Sequence, residues 1–290
     1  MTLEKVHNGI NIEEVVNLLD EYGKDAKIIA GGTDIVIALR NSKISPKILI
    51  DVTKIEELKT IEDEGDYITI GGGVTFTQIV ESPLFGGNLY GLKKACRMVG
   101  SPQIRNKGTI GGNIANGSSA ADSIPPLICL GSIVTLESST GIREILLEDY
   151  YHDQIRENEI LTKIRFKKPK KGQILTFAKL GLRKALAISR LTISSFIDFD
   201  DNGLIKDIKV ASGALGKYPM REIEVEEYLI GKRLREETID GAIEALKSSM
   251  DIRLKGRSTL AYKRIAIFSI LKETLESAVE SKNEVNSWKL

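Results

Sequence analysis

The sequence predicts an α+β protein whose helices and strands form two successive domains. Short apolar strands alternate with helical segments in the first half, whereas a pair of alternating strands followed by long helices fills the second half. Between the halves, the segment Lys167 to Gly172 combines like charges with proline and glycine, a composition typical of linkers. We therefore predict one domain over residues 1–168 and another over residues 174–283.

In the first domain, residues 12–22 carry apolar side chains at helical spacing, and residues 26–30 have the composition of a short buried strand. A second helix is predicted at 35–40, with the side chain of Thr33 or Asp34 as its cap. A strand at 48–52 completes a βαβ-like unit. The remaining elements predicted in this domain are a strand at 67–74, helices at 76–82, 92–99 and 125–130, and strands at 133–137 and 159–166.

The second domain is predicted to begin with a β-hairpin. Residues 186–198 and 205–215 alternate as strands do, and Asp200-Asp201-Asn202-Gly203 supplies the turn between them. Helical periodicity dominates the rest, notably at 239–250 and 260–275. This order predicts an antiparallel sheet accompanied by helices.

The composition excludes several classes of protein. Lysine and arginine number 41 against 40 acidic residues, so the overall charge gives no general attraction to nucleic acid or anionic membranes. The N-terminus lacks a basic segment followed by an apolar run, and no stretch reaches the roughly 18 apolar residues of a membrane span. We therefore expect a cytoplasmic protein without a membrane span.

Cysteine and histidine are too few and too scattered for a metal centre. Cys96 and Cys129 fit no CxxC pattern and cannot supply the four cysteines of an iron–sulfur cluster. His7 and His152 have no ligand partner at metal spacing. We expect buried thiols, and histidines on the surface or in the core.

Gly31-Gly32-Thr33-Asp34 lies between a predicted strand and a predicted helix. Without side chains, backbone N–H groups can approach an anion such as a pyrophosphate closely. The segment is neither a P-loop nor a GxGxxG motif. For the motif taken alone, a tight strand-to-helix turn that requires glycine is the favoured explanation, so this motif by itself identifies no ligand.

A second glycine-rich segment, from Gly108 to Ala121, contains no charged residue and many backbone and hydroxyl donors. A disordered linker is one interpretation. Ile110 and Ile114 within the segment, and Pro125-Pro126-Leu127 after it, favour an ordered loop around a large polar ligand.

Segments of both domains together resemble a known family. Gly100 to Asn113, continued by Ser118 to Asp122, resembles the signature of the FAD-binding subunit of molybdenum hydroxylases, the xanthine dehydrogenase and carbon monoxide dehydrogenase type. Ala30 to Asp34, Lys179 to Ile188 and Arg257 to Arg264 match the same family in order. The resemblance extends over nearly the whole chain.

The resemblance implies a vanillyl-alcohol-oxidase-like (PCMH-type) fold. In that fold, two α+β subdomains bind FAD, and a C-terminal domain of antiparallel sheet and helices follows. The chain departs from the family at Ser119, where relatives often have proline, so that loop loses one conformational constraint.

The resemblance also implies which residues contact FAD. Residues 28–35 and 109–113 would hold the pyrophosphate and ribityl chain with backbone amides and the Thr33 and Thr109 hydroxyls. Asp122 would accept hydrogen bonds from the cofactor, or else cap the helix at 125–130, and Lys179 would lie near the flavin pyrimidine edge, or else be a solvated strand lysine. The full set is Ile28, Ile29, Ala30, Gly31, Gly32, Thr33, Asp34, Ile35, Val99, Thr109, Ile110, Gly111, Gly112, Asn113, Ser118, Asp122, Leu161 and Lys179.

The function implied is electron transfer within a larger enzyme. Electrons would pass from substrate at a molybdopterin cofactor on a large subunit, through [2Fe–2S] clusters on a small subunit, to this FAD and then to an acceptor such as NAD or a quinone. Two alternatives are a self-contained flavoenzyme resembling UDP-N-acetylenolpyruvoylglucosamine reductase and a flavin-free assembly protein. The sequence names neither the hydroxylated substrate nor the electron acceptor.

Overall fold

The computed structural model describes residues 3–153, 158–181 and 188–287, with side chains described as far as residue 281. Packing divides the chain into two compact units, each assembled from separate stretches. Unit 1 comprises residues 1–79, 101–117 and 132–168, and unit 2 comprises residues 80–100, 118–131 and 169–290. The sequence domains at 1–168 and 174–283 stay a prediction.

The strands are β1 (Lys5–Asn8), β2 (Ala26–Ile29), β3 (Ile48–Asp51), β4 (Ile61–Asp63), β5 (Tyr67–Gly71), β6 (Ile133–Ser138), β7 (Gly141–Leu146), β8 (Ile160–Lys167), β9 (Gln173–Gly181), β10 (Ser189–Phe199), β11 (Ile205–Gly213) and β12 (Met220–Arg221). The α-helices are α1 (Ile12–Tyr22), α2 (Ile35–Arg40), α3 (Phe76–Glu81), α4 (Tyr90–Arg97), α5 (Pro102–Arg105), α6 (Ile110–Asn116), α7 (Ile124–Cys129), α8 (Leu147–Tyr150), α9 (Ile223–Leu229), α10 (Glu236–Arg253) and α11 (Leu260–Ser287).

Unit 1 contains two sheets. Three parallel strands have the order β1-β3-β2, and the connection from β2 through α2 to β3 confirms the predicted βαβ-like unit. Five antiparallel strands form the other sheet, in the order β4-β5-β8-β6-β7. These two sheets, together with the helices of unit 1, form the α+β arrangement that the resemblance implies.

Helix α1 has the predicted bounds for identifiable reasons. The Asn11 side chain accepts a hydrogen bond from the Glu14 amide, which caps the start, and Gly23 ends the helix with a positive φ of 49°. Between these ends, Val15 and Leu19 are among the residues that bury one face of the helix in a core with β2 and β3. The helix therefore fixes the position of β2, which leads directly into the loop after residue 29.

Unit 2 is a four-stranded antiparallel sheet, in the order β12-β11-β10-β9, with helices packed on it. The hairpin of β10 and β11 confirms the prediction, although Leu186 and Ala187, at the predicted start of its first strand, lie outside the described residues. Helix α4 packs on β9, and helices α7 and α11 pack on both β9 and β10, so most side chains of β10 are buried. Helices α9, α10 and α11 form a continuous apolar core with the sheet.

The second glycine-rich segment differs from its prediction. The sequence predicts a loop throughout 108–121, but residues 110–116 form α6. Thr109 caps this helix through its hydroxyl, and burial of Ile110 and Ile114 stabilises it despite the two glycines between them. Glycine content misled the prediction because tertiary packing outweighed the low helix propensity.

Candidate functional site

Five consecutive backbone amides in unit 1, from Gly31 to Ile35, donate no hydrogen bond to any residue that the structure describes. These residues connect β2 to α2 and are half-buried, apart from the exposed Asp34. Unpaired amides are unfavourable unless water or a ligand accepts from them, and successive amides in a turn make a concave site for an anion.

The two glycines of this loop are required by the fold itself. A Cβ atom on Gly31 would lie 1.8 Å from the carbonyl oxygen of Lys107, and Gly32 has a φ of 72°. The first is a close backbone approach and the second is a left-handed turn, both of which favour glycine. The glycines therefore create the turn, and the unpaired amides are what make it suitable for an anion.

The polar side chains of the loop bind each other. The Thr33 hydroxyl donates to the Asp34 carboxylate at 3.1 Å, and the Asn116 amide donates to the same carboxylate at 3.4 Å. Neither Thr33 nor Asp34 caps α2 through its side chain, so the predicted capping is wrong. The amides that a cap would have occupied are left available.

The amides of the second segment are occupied. Those of Ile110 and Gly111 donate to the carbonyl oxygens of Val74 and Gly72 at 2.9 and 3.0 Å, and those of Gly112 and Asn113 donate to Thr109. The contact with the segment after β5 and the helix cap therefore use these four amides within the protein. The assignment of residues 109–113 to a cofactor stays a prediction, and these four residues would contribute to it through side chains and exposed surface.

Gly111 and Gly112 differ in their surroundings. A Cβ atom on Gly111 would lie 2.5 Å from the Gly72 carbonyl oxygen, whereas Gly112 is exposed and its nearest contact would be the Thr109 hydroxyl at 2.8 Å. Substitution of Gly111 by valine would therefore disrupt the packing of unit 1 and would report on folding before it reported on ligand binding.

Apolar side chains flank the unpaired amides. Ile28, Ile29 and Ile35 are half-buried, so they leave part of their surface open to a ligand.

Leu161, another predicted site residue, is buried on β8. Its carbonyl oxygen lies 2.3 Å from the place of a Cβ atom on Gly72.

Unit 2 contains a buried ion pair formed by two of the predicted site residues. Lys179 Nζ lies 2.5 Å from Asp122 Oδ2, and the two side chains are 5% and 6% exposed. The Lys179 ammonium also donates to the Met98 carbonyl oxygen at 2.9 Å, and the Ser189 hydroxyl donates to the second oxygen of Asp122. The sequence predicts both charged residues but neither their pairing nor the contributions of Met98 and Ser189.

The pairing changes what Lys179 can do. Burial raises the pKa of the Asp122 carboxyl, and the adjacent Lys179 charge and the hydrogen bonds oppose that increase. With the carboxylate ionised, the pair carries no net charge, so the lysine is not the isolated cation that the sequence suggests. The register of β9 and β10 pairs Ser189 with Gly181, two residues from Lys179, and this register is a contact that the sequence does not reveal.

Val99 and Ser118 are the other predicted site residues of unit 2. Val99 is half-buried after α4, and Ser118 is exposed, where its hydroxyl accepts from the Ala120 amide at 3.3 Å. Leu182 to Ala187, within the family-like segment after Lys179, lie outside the described residues. Cys96 and Cys129 are fully buried thiols, as predicted.

The described residues contain neither a metal centre nor a membrane span. No group of three or more His, Cys, Asp or Glu side chains in that part of the chain could hold a metal ion. No helix there is both long and apolar enough to cross a bilayer.

Comparison with known proteins gives consistent matches over both sequence halves. Residues 4–169 match the family described as the FAD binding domain in molybdopterin dehydrogenase, and residues 176–278 match the CO dehydrogenase flavoprotein C-terminal domain. The nicotinate dehydrogenase FAD-subunit of Eubacterium barkeri is 35% identical over 90% of this chain and 91% of its own length. The carbon monoxide dehydrogenase medium chain of Hydrogenophaga pseudoflava is 27% identical over 94% of this chain and 96% of its own length.

A solved structure agrees with these matches. Carbon monoxide dehydrogenase from Hydrogenophaga pseudoflava, in a form that lacks the Mo-pyranopterin moiety of its molybdenum cofactor, contains a chain that superposes with a TM-score of 0.89 at 26% identity. The superposition covers 96% of this chain and 98% of that chain.

Proposed function

This chain belongs to the family of FAD-binding subunits of molybdopterin dehydrogenases, and we propose that its five unpaired amides from Gly31 to Ile35 hold the pyrophosphate of FAD. It is an oxidoreductase subunit with an FAD-binding domain. The single observation that carries the residue assignment is the row of amides without acceptors.

The loop matches the chemistry of a diphosphate. Fixed N–H dipoles stabilise an anion without ordering a long side chain, so no lysine is needed. The Thr33 hydroxyl lies within the same turn, and the half-buried Ile28, Ile29 and Ile35 supply apolar surface on either side. We therefore place the diphosphate on residues 31–35, with Ala30 and Asp34 as neighbours.

The remaining assignments rest on the family resemblance. Residues 110–113 would contact the cofactor through side chains and surface, since their amides are engaged, and Thr109 would contact it through its hydroxyl. Bound FAD supplies the redox chemistry, and protein groups position it and set its potential. In unit 2, Val99, Ser118, Asp122 and Lys179 are proposed cofactor contacts, and Leu161 of unit 1 is proposed to contribute backbone groups.

Similarity to named subunits supports a role within a larger enzyme. Relatives are medium chains or FAD subunits of dehydrogenases, which favours the subunit over a self-contained flavoenzyme. We propose that the partners are a large subunit with the molybdopterin cofactor and a small subunit with [2Fe–2S] clusters, and that NAD or a quinone accepts the electrons. The cytoplasm stays the predicted location, on the sequence argument alone.

We predict that the full-length chain binds a single FAD noncovalently. The two histidines of the chain, His7 and His152, lie outside the glycine-rich segments, so neither segment offers the imidazole that commonly forms a covalent flavin bond. The measurement is the visible absorption spectrum before and after acid precipitation. Yellow colour in the supernatant, at one equivalent per chain, is the expected result. Colour in the pellet would contradict noncovalent binding, and a colourless preparation that takes up no added FAD would contradict the proposed function.

A further inference from the structure

Three cations of unit 2 lack an ionic partner. Arg190 on β10 and Arg257 before α11 are exposed, and Lys263 in the first turn of α11 is half-buried. In the described part of the chain, none of them forms an ion pair. Nearby arginines behave differently, because Arg253 pairs with Glu222 and Arg264 pairs with Asp251.

Backbone and side-chain contacts bring the three cations together. Lys263 Nζ donates a hydrogen bond to the Ala214 carbonyl oxygen. The pairing of Thr192 with Gly213 sets Arg190, two residues earlier on β10, beside the end of β11 and therefore beside Ala214. Burial lowers the pKa of Lys263, and the positive charges of Arg257 and Arg190 lower it further. The three side chains therefore lie within electrostatic range of one another.

This arrangement is unfavourable for the unliganded chain. Like charges repel, and the first turn of the 28-residue α11 adds the positive end of a helix dipole. Ala214 holds a left-handed φ of 62°, which is strained for a residue with a side chain, and its amide is fixed at 2.6 Å from the Ser119 carbonyl oxygen. A bound anion would offset the repulsion that the fold maintains here.

We infer that Arg190, Arg257 and Lys263 form a second anion site, which binds a phosphate or diphosphate group of a soluble ligand. Guanidinium groups form paired hydrogen bonds with phosphate oxygens, and two arginines with a lysine match the charge of a diphosphate. The site uses the family-like segment from Arg257 to Arg264, which the FAD assignment leaves without a role.

Isothermal titration of the flavin-loaded, full-length chain with inorganic pyrophosphate at low ionic strength tests the inference. Saturable binding is expected, and Arg257→Gln and Arg190→Gln should each weaken it by about tenfold, the loss of one charge-assisted contact. Arg233→Gln is the matched control, because Arg233 is an exposed arginine without an ion pair, near the opposite end of β11. It should bind pyrophosphate as wild type does.

Competition identifies the source of the phosphate. Displacement of pyrophosphate by NADH would support a nucleotide electron acceptor, and displacement by orthophosphate alone would support free phosphate. Absence of saturable binding, or wild-type affinity in both arginine variants, would overturn the inference, as would Arg257-dependent binding of polyglutamate without binding of pyrophosphate. The absorption spectrum of each sample reports FAD separately. A flavin-free chain with Arg257-dependent pyrophosphate binding would contradict the proposed function and leave this site intact.

Discussion

Thr33→Asp is expected to weaken FAD binding by about 100-fold, or roughly 2.8 kcal/mol. The new carboxylate would lie within the turn whose amides have no acceptor, where it would accept from those amides and repel the diphosphate. Titration of the apoprotein with FAD, followed by quenching of flavin fluorescence, measures the change.

Thr33→Asn is the matched control, since asparagine has the shape of aspartate without its charge. It removes the hydroxyl that donates to Asp34 but adds no negative charge, so affinity should fall by less than about tenfold, the worth of one hydrogen bond. Both variants should fold, because the amides from Gly31 to Ile35 and the backbone turn remain unchanged. Equal FAD affinity of the two variants would show that the diphosphate lies elsewhere.

Lys179→Met is expected to destabilise the chain by about 3–5 kcal/mol, because it leaves Asp122 buried without its cation. The double variant Lys179→Met with Asp122→Asn removes both charges and should recover most of this loss. Chemical denaturation of the wild type, both single variants and the double variant measures the coupling. Additive effects of the two substitutions would show that the ion pair contributes nothing to stability.

The same variants test the influence of the pair on the flavin. In flavin-loaded protein, Lys179→Met should lower the midpoint potential by about 30 mV, equivalent to about 1.4 kcal/mol for a two-electron couple, because an ionised Asp122 disfavours added negative charge. Asp122→Asn should raise it, and the double variant should return close to wild type. Spectroelectrochemistry of the wild type and the three variants measures these midpoint potentials. Unchanged potentials in all three variants, with FAD bound, would make the pair purely structural.

Local sequence signals were sufficient for much of the fold. The helix at 12–22 was predicted to the residue because an asparagine cap, an amphipathic face and a terminal glycine coincide there. The β10–β11 hairpin was predicted from alternation and its Asp-Asn-Gly turn. Strand β1 was missed, since its four residues are mostly exposed and show no apolar alternation.

Contacts distant in sequence could not be predicted in the same way. The salt bridge between Asp122 and Lys179 joins residues 57 positions apart, and periodicity carries no information on such a pair. The roles of Gly31 and Gly111 were assigned to ligand approach, whereas the carbonyl groups of Lys107 and Gly72 explain them. The sequence reveals that glycine is present, and only the fold shows which backbone it approaches.

The most direct test of the central claim is the native mass and cofactor content of the complex recovered with an affinity-tagged copy of this chain, expressed at its natural level in its source cells. We predict a hetero-oligomer with a small [2Fe–2S] subunit and a large molybdopterin subunit, and with FAD retained by this chain. Recovery of a homogeneous, partner-free oligomer that oxidises its own substrate would contradict the account.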